Sequence, residues 1–338
     1  MTQAISLDRV TKRYGTTTAL RELSLSVERG EMFGLIGPDG AGKTTAIRLM
    51  CGLLKADSGA IRILGLDPVR EHRRLTDSAG YLSQRFSLYG DLSVDENVAF
   101  FAEIHGLRDY QARRDRLLEM TQLTPFRVRS ADRLSGGMKQ KLALACTLIH
   151  EPDLILLDEP TTGVDPVSRR EFWKLLSEFL AQGITIVMAT PYLDEAERCS
   201  RVAMLHQGRL LALDRPEALR ATLSGQLYEV IVSDHRRAAA ILRQMQDVTP
   251  GAIDVQMFGD RAHVRLPASD AETIARLTSR LTDAGLQVTS IRPIATSLED
   301  VFIARVGRSP VSDVSDVSDV SDTSDTSDTS DTSRRPAS

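Results

Sequence analysis

Residues 37–44 read Gly-Pro-Asp-Gly-Ala-Gly-Lys-Thr. A strand-like run, residues 31–36, leads in, and a helical pattern from Lys43 to Met50 leads out. This is the spacing of a phosphate-binding loop set between a strand and a helix. Gly37, Gly40 and Gly42 permit backbone turns that a side chain would block. Successive N–H groups then cradle phosphate oxygens, and the positive end of the helix adds to the attraction. Lys43 is placed for the β- and γ-phosphates, and Thr44 offers its hydroxyl to Mg²⁺. Asp39 puts a carboxylate on an anion-binding loop, so it is expected to face solvent or cap the turn.

A second group of residues could act on what that loop holds. Four apolar residues, 154–157, precede Asp158 and Glu159. A strand buried on both faces delivers both carboxylates at its C-terminal end, where ligands sit in open α/β sheets. With a phosphate loop on a neighbouring strand, Asp158 would hold Mg²⁺ through its water shell. Glu159 would orient or deprotonate an attacking water. A strand ending in a solvated acidic turn would read the same, and the phosphate loop is what favours catalysis. Ser135, Gly136 and Gly137 stand at a helix start, where two glycines weaken the helix unless its backbone must approach something. They read as a second anion site, and so as a nucleotide gripped from two sides; a plain Ser-capped helix is the alternative.

The elements that must position these residues follow from periodicity. Residues 4–10 and 19–27 alternate as two half-buried strands. Strand 31–36, helix 43–52 and strand 61–64 come next, then a strand end at 80–84 that places Gln84 just beyond it. Ser93-Val-Asp-Glu96 is a capping box opening a helix over 97–105, and a second helix, rich in Arg and Leu, covers 109–123. Residues 135–141 open a helix over 141–150. Strand 154–157, helix 167–181, strand 184–189 and a helix reaching Cys199 complete the pattern. Strand–helix alternation with continuous apolar strands implies a parallel sheet covered on both faces.

Composition shifts near residues 223–225. Beyond lie strand 227–233, helix 235–246, strand 252–258, a Gly259-Asp260 turn, strand 261–266, helix 270–284 and strand 286–292. That β-α-β-β-α-β order matches a ferredoxin-like unit. Thr296-Ser-Leu-Glu299 then caps a short helix to about Val306. The expected division is 1–224, 225–306 and a tail, 307–338. The tail repeats Val-Ser-Asp and Thr-Ser-Asp without an aromatic residue, and reads as disordered.

The 338 residues are 42% hydrophobic and 26% charged, as in an ordinary globular chain. The net charge of −4 is that of the tail, which carries seven Asp against three Arg, so nothing suggests nucleic acid as an electrostatic partner. The start does not read as a signal peptide, and no run approaches the roughly 18 apolar residues of a membrane helix. Three scattered cysteines, Cys51, Cys146 and Cys199, fit a reducing compartment and buried packing.

Taken in order, GPDGAGKTT, Gln84, LSGGMKQ and LILLDEP resemble the ATPase subunits of ABC transporters over about residues 4–224. TSLEDVFI at 296–303 resembles the C-terminal extension of drug- or polyketide-exporting members. GPDGAGKTT with SGGMKQKLALACTL and YLDEAE resembles the first half of tandem bacterial multidrug-efflux ATPases. The resemblance implies an α/β fold: an ABC-type P-loop ATPase domain with a helical subdomain, then the small α+β domain and the tail.

It also implies roles. Tyr14 would stack on the adenine of ATP, and Gly37, Pro38, Asp39, Gly40, Ala41, Gly42, Lys43, Thr44 and Thr45 would bind its phosphates and Mg²⁺. Gln84 would sense the γ-phosphate, contribute to the metal site with Thr44 and Asp158, and touch a permease. Ser135, Gly136 and Gly137 would clasp ATP held by the opposite subunit of a head-to-tail dimer, with Asp165 as the cross-interface loop residue and Glu159 as the catalytic base. Implied partners are integral-membrane permeases, a second ABC ATPase subunit (identical or not) and a periplasmic adaptor, with the chain peripheral on the cytoplasmic face of a bacterial membrane.

One position departs from the family. Where a switch histidine is usual, after residues 186–190, this chain has Pro191. Proline offers neither a side-chain hydrogen bond nor a backbone N–H. His206, on or just after the next strand, is read as structural. The chain's own site is therefore expected to hydrolyse slowly, or else neighbours such as Thr190 compensate. A nucleotide-binding regulatory subunit with little hydrolysis is the alternative reading. A soluble, non-transport ABC ATPase is disfavoured by the single ATPase unit and the lack of a basic linker or long coiled coil.

Overall fold

Three sheets organise the chain, and their order follows from which strands are buried on one face and which on two. The computed structural model describes residues 3–84, 88–248, 254–258, 261–266 and 271–308. The expected Gly259-Asp260 turn and the Ser-Asp repeat lie outside those residues. In chain order the first half comprises β1 (Gln3–Tyr14), β2 (Thr17–Glu28), β3 (Met32–Ile36), α1 (Lys43–Met50), β4 (Ser58–Ile63), α2 (His72–Thr76), β5 (Ala79–Leu82), α3 (Val94–Ile104) and α4 (Gln111–Met120). Next come α5 (Gly136–Leu148), β6 (Leu154–Asp158), α6 (Pro166–Ala181), β7 (Thr185–Thr190), α7 (Leu193–Ala196), β8 (Arg201–His206), β9 (Arg209–Asp214) and α8 (Pro216–Ala221). The remainder is β10 (Gln226–Val232), α9 (His235–Val248), β11 (Asp254–Phe258), β12 (Arg261–Leu266), α10 (Ala271–Asp283), β13 (Val288–Ile294) and α11 (Leu298–Arg308).

The central sheet runs β5-β6-β7-β3-β8-β9 and is parallel except for β9, which returns antiparallel to β8. Strands β3, β6 and β7 are buried at every residue, as their largely apolar sequences require, with Asp158, Thr185 and Thr190 the buried polar residues at their ends. Alternate residues of β6 feed opposite cores. Ile155 and Leu157 join the cluster built with α3, α5 and α6, while Leu154 and Leu156 join that of α1, β1 and β2. The three-stranded sheet β2-β1-β4 is antiparallel and covers the second cluster. All three cysteines are free and buried, as expected. Burial pushes each thiol up, Cys199 to about 12.

Several helix starts differ from the sequence pattern, two of them because tertiary packing decides them. The α5 helix begins at Gly136, not near Lys141, with the Ser135 hydroxyl accepting from the Met138 N–H. Tertiary packing outweighs the low propensity of paired glycines, since a Cβ on Gly137 would collide with Ser168 at the start of α6. The capping box of α11 is Ser297 with Asp300, one residue beyond the expected Thr296 and Glu299. Asp300 is buried, accepts from the Ser297 N–H at 2.8 Å, and lies 3.4 Å from His263 of β12, so the register that buries it wins. The Ser93–Glu96 box opens α3 as expected.

The four-stranded sheet is antiparallel in the order β11-β12-β10-β13, which with α9 and α10 is the ferredoxin-like arrangement. Tyr228, Val230, Val232 and Val264 pack with Leu242, Leu277 and Leu281 in their own cluster. The α11 helix belongs elsewhere. Leu298 and Val301 join the large cluster of the central sheet, beside Leu219 of α8.

Candidate nucleotide-binding site

The C-terminal ends of β3, β6 and β7 converge on one cleft of about 1320 Å³. The phosphate loop lies between β3 and α1, and its glycines are set by close approach. A Cβ on Gly37 would collide with the Leu205 carbonyl oxygen. One on Gly42, at φ +103°, would lie 2.6 Å from the Ala19 carbonyl oxygen. Lys43 is 4% exposed, and its ammonium donates to the carbonyls of Gly37 at 2.8 Å and Pro38 at 3.1 Å. Asp39 faces solvent, 3.8 Å from that ammonium.

The loop strand and the acidic strand are not neighbours, as the sequence had suggested: β7 lies between β3 and β6. The first residues of α1 reach across it. The Thr44 hydroxyl donates to Asp158 Oδ1 at 3.0 Å. Burial pushes the Asp158 carboxyl up, against the Thr44 hydrogen bond. Glu159 follows in a left-handed conformation, φ +48°, and its N–H donates to the Ala189 carbonyl of β7 at 2.9 Å. Its carboxylate accepts from Gln84 Nε2 at 2.9 Å and from the Thr162 hydroxyl at 3.3 Å, and lies 3.7 Å from the Lys43 ammonium.

Tyr14, half exposed at the end of β1, lines the far side of the cleft, with the Lys12 ammonium 5.6 Å from its ring centre. Asp39, Gly40, Ala41, Gly42, Lys43, Thr44, Thr45, Gln84 and Glu159 line it too. Gly37 and Pro38 sit behind it as acceptors for Lys43, and Asp158 lies beneath Thr44. Ser135, Gly136, Gly137 and Asp165 are not among the lining residues. They meet one another instead, at the paired starts of α5 and α6, where Asp165 caps α6 by accepting from the Val167 and Ser168 N–H groups. The Ser168 hydroxyl and N–H hold the Asp165 carboxyl below its usual range.

Pro191 forms part of the cleft wall, and so does His206, whose ring meets Phe302 of α11 edge-on at 6.1 Å. Thr17, Arg21, Thr162 and Arg209 also line the cleft and carry no motif of their own. Thr162 was within reach of sequence reasoning, since a hydroxyl three residues past a carboxylate on a tight turn can bond to it.

Known proteins bear on this geometry. The family described as ABC transporter matches residues 20–162. The daunorubicin resistance ATP-binding protein DrrA2 of Streptomyces coeruleorubidus is 34% identical, over 90% of this chain and 95% of its own length. This chain belongs to the ABC transporter ATP-binding proteins. The cassette is also 38% identical over 91% of its length to the probable multidrug ABC transporter ATP-binding protein YbhF of Escherichia coli K12, but covers 53% of that protein. It thus spans about half the length of the first curated relatives it matches. The dimeric bacterial ABC transporter cassette MJ0796 superposes with a TM-score of 0.56 at 28% identity, covering 62% of this chain and 98% of its own. Membership makes the cassette a nucleotide-binding protein. Among the described residues no helix is long and apolar enough to cross a membrane.

Proposed function

We propose that the cassette binds and hydrolyses ATP as the motor subunit of an exporter of drugs or other small molecules. The observation that carries this reading is the carboxylate of Glu159, held by Gln84 and Thr162 beside Lys43 in one cleft with the phosphate loop. In this reading Lys43 exchanges its bonds to the loop carbonyls for phosphate oxygens, and the loop N–H groups complete the cradle. Glu159 orients and deprotonates the attacking water. Tyr14 stacks on adenine. The Thr44 hydroxyl and the Asp158 carboxylate, already 3.0 Å apart, are an oxygen pair suited to a hard cation, with Gln84 as a third contributor. Mg²⁺ bound there supplies neutralisation of phosphate charge.

The signature residues Ser135, Gly136 and Gly137, with Asp165, stand outside the chain's own cleft and are assigned to ATP held by a second ABC ATPase subunit. Dimeric MJ0796 supports that pairing by likeness. ATP would draw the two subunits together, and loss of its γ-phosphate would let them part. Permeases in the bacterial membrane would receive this motion on the cytoplasmic face through the segment 85–125, and a periplasmic adaptor would extend the same assembly. The division at residue 224 is part of the proposal. It is supported by the separate sheet and apolar cluster of β10–β13, and the small domain would stabilise or regulate the dimer.

Pro191 in the cleft wall favours slow turnover at this site, with α5 completing a more competent site on another chain. Steady-state Mg-ATPase of the purified chain beside Glu159→Gln tests the main reading. Loss of activity on the order of 10²-fold with ATP binding retained is expected for a lost general base. Activity indifferent to the substitution would remove Glu159 from the chemistry. Pro191→His should raise turnover of the assembled transporter, and no rise there would count against slow turnover through Pro191.

A further inference from the structure

The end of β7 lacks the hydrogen bonds a histidine would give, yet it is not loose. Thr190 precedes Pro191, and its hydroxyl donates to Glu195 Oε2 at 2.7 Å while accepting from the Tyr192 N–H at 3.0 Å. Pro191 is therefore braced on both sides by one hydroxyl. Glu195, in α7, is 1% exposed. Its other oxygen accepts a hydrogen bond from the Thr161 hydroxyl. Thr161 lies on the turn that carries Glu159 and is followed by Thr162, which donates to the Glu159 carboxylate. The Arg169 side chain of α6 lies 3.9 Å from Glu195 and over the Tyr192 ring at 4.9 Å. One buried carboxylate thus joins the turn after β6, the strand end of β7 and the first turns of α6.

A carboxylate buried this deeply is expensive unless its oxygens are occupied, and here the occupants are the segments that shape the reacting wall. We propose that Glu195 is the positioning residue for Glu159 in this cleft, doing through Thr161 and Thr190 what Pro191 cannot do. The inference rests on the ATP-hydrolysis reading and deepens it. Glu195 touches neither nucleotide nor water. It fixes where the turn after Glu159 lies relative to β7. A substitution that loosens this clamp should slow the chemical step more than it weakens ATP binding.

Glu195→Gln is the probing change. Thr161 and Thr190 both donate to the carboxylate, whereas an amide offers one acceptor oxygen and one NH₂, so one hydroxyl must turn to accept and both charge-assisted bonds are lost. In the full chain kcat for Mg-ATP should fall about tenfold, as for a displaced general base, with KM within about twofold. Made in a Pro191→His chain, the same change should cost less than about threefold, because the histidine restores an independent hold on the site. Thr190→Val removes the same clamp from its other end and should reproduce both results. It serves as the second variant if Glu195→Gln does not fold. Equal losses with and without the histidine would mark Glu195 as merely structural and overturn the proposal. So would activity that depends on Glu159 but is indifferent to both clamp variants, leaving the hydrolysis reading intact. Activity unaffected by Glu159→Gln would overturn the two together.

Discussion

The cleft has two walls that are built differently. The phosphate-loop wall is local: nine consecutive residues, 37–45, set its turns, its charge and its hydroxyl. The β7 wall is assembled at a distance. Glu159, Thr161, Thr190, Pro191 and Glu195 come from three segments and meet only because β6 and β7 are paired, Asp158 opposite Ala189. A local wall tolerates little substitution within itself and needs little from outside. A dispersed wall can carry a residue such as Pro191, which offers no hydrogen bond of its own, if others close the gap.

The sharpest break in that contrast would come from Lys43→Ala. The ammonium is buried against the loop carbonyls, so no neighbour can take its place. ATPase should fall by about 10²–10³-fold, the scale of losing a buried electrostatic contact to a transferring phosphoryl group. Nucleotide binding, read by fluorescence titration, should weaken with it. Retained hydrolysis would mean that the loop wall is not the carrier.

Acid should cost stability away from both walls, and this sets the baseline for any pH profile. Burial pushes His150 down to about 4 from an ordinary 6.5, in a parallel stack 3.8 Å from His105. Between those values the unfolded chain takes up a proton that the folded chain refuses, so stability falls as pH falls from 6.5 to 4. The full difference is about 3 kcal/mol. Urea unfolding at pH 7 and pH 5 would measure it, and His150→Gln should flatten the slope. An unchanged slope would place the acid sensitivity elsewhere, with His105, whose imidazole burial also pushes down, the next group to examine.

The smallest effects expected are those of Gly42→Ala and Gly40→Ala. At Gly42 crowding adds to strain. Its φ of +103° and the Ala19 oxygen 2.6 Å from a Cβ leave no relaxed place for a methyl group, and the cost should be about 2 kcal/mol in unfolding free energy. Gly40, at φ +77° with nothing near its Cβ, should lose less, about 1 kcal/mol, when changed to Ala. A reversal of that order would mean that strain, not crowding, shapes the loop.

How much of this was legible beforehand depends on whether the signal was periodic or spatial. The buried strands β3, β6 and β7 announced themselves as apolar runs, and the order of β10 to β13 followed from alternation and turns. Cap registers slipped where tertiary burial decided them, as at Asp300, and the start of α5 slipped where packing of Gly137 on Ser168 overrode propensity. Loop residues and both acids of the site were readable because their spacing is fixed along the chain. Glu195 was not, because its partners lie up to 34 positions away and a Glu in a short helix usually faces solvent. The placement of β7 between β3 and β6 was likewise invisible, since strand order is a property of the assembled sheet.

The seating of α11 carries a consequence for how such a chain is made. Leu298 and Val301 complete an apolar seam against Leu219 that belongs to the central sheet, yet the ribosome delivers them only after the whole ferredoxin-like unit. Until then the seam stays open to water on an otherwise folded cassette. Synthesis interrupted before residue 298 would release a body with a greasy edge, which chaperones and proteases are equipped to find. The closing helix is thus the last part of that core to leave the ribosome.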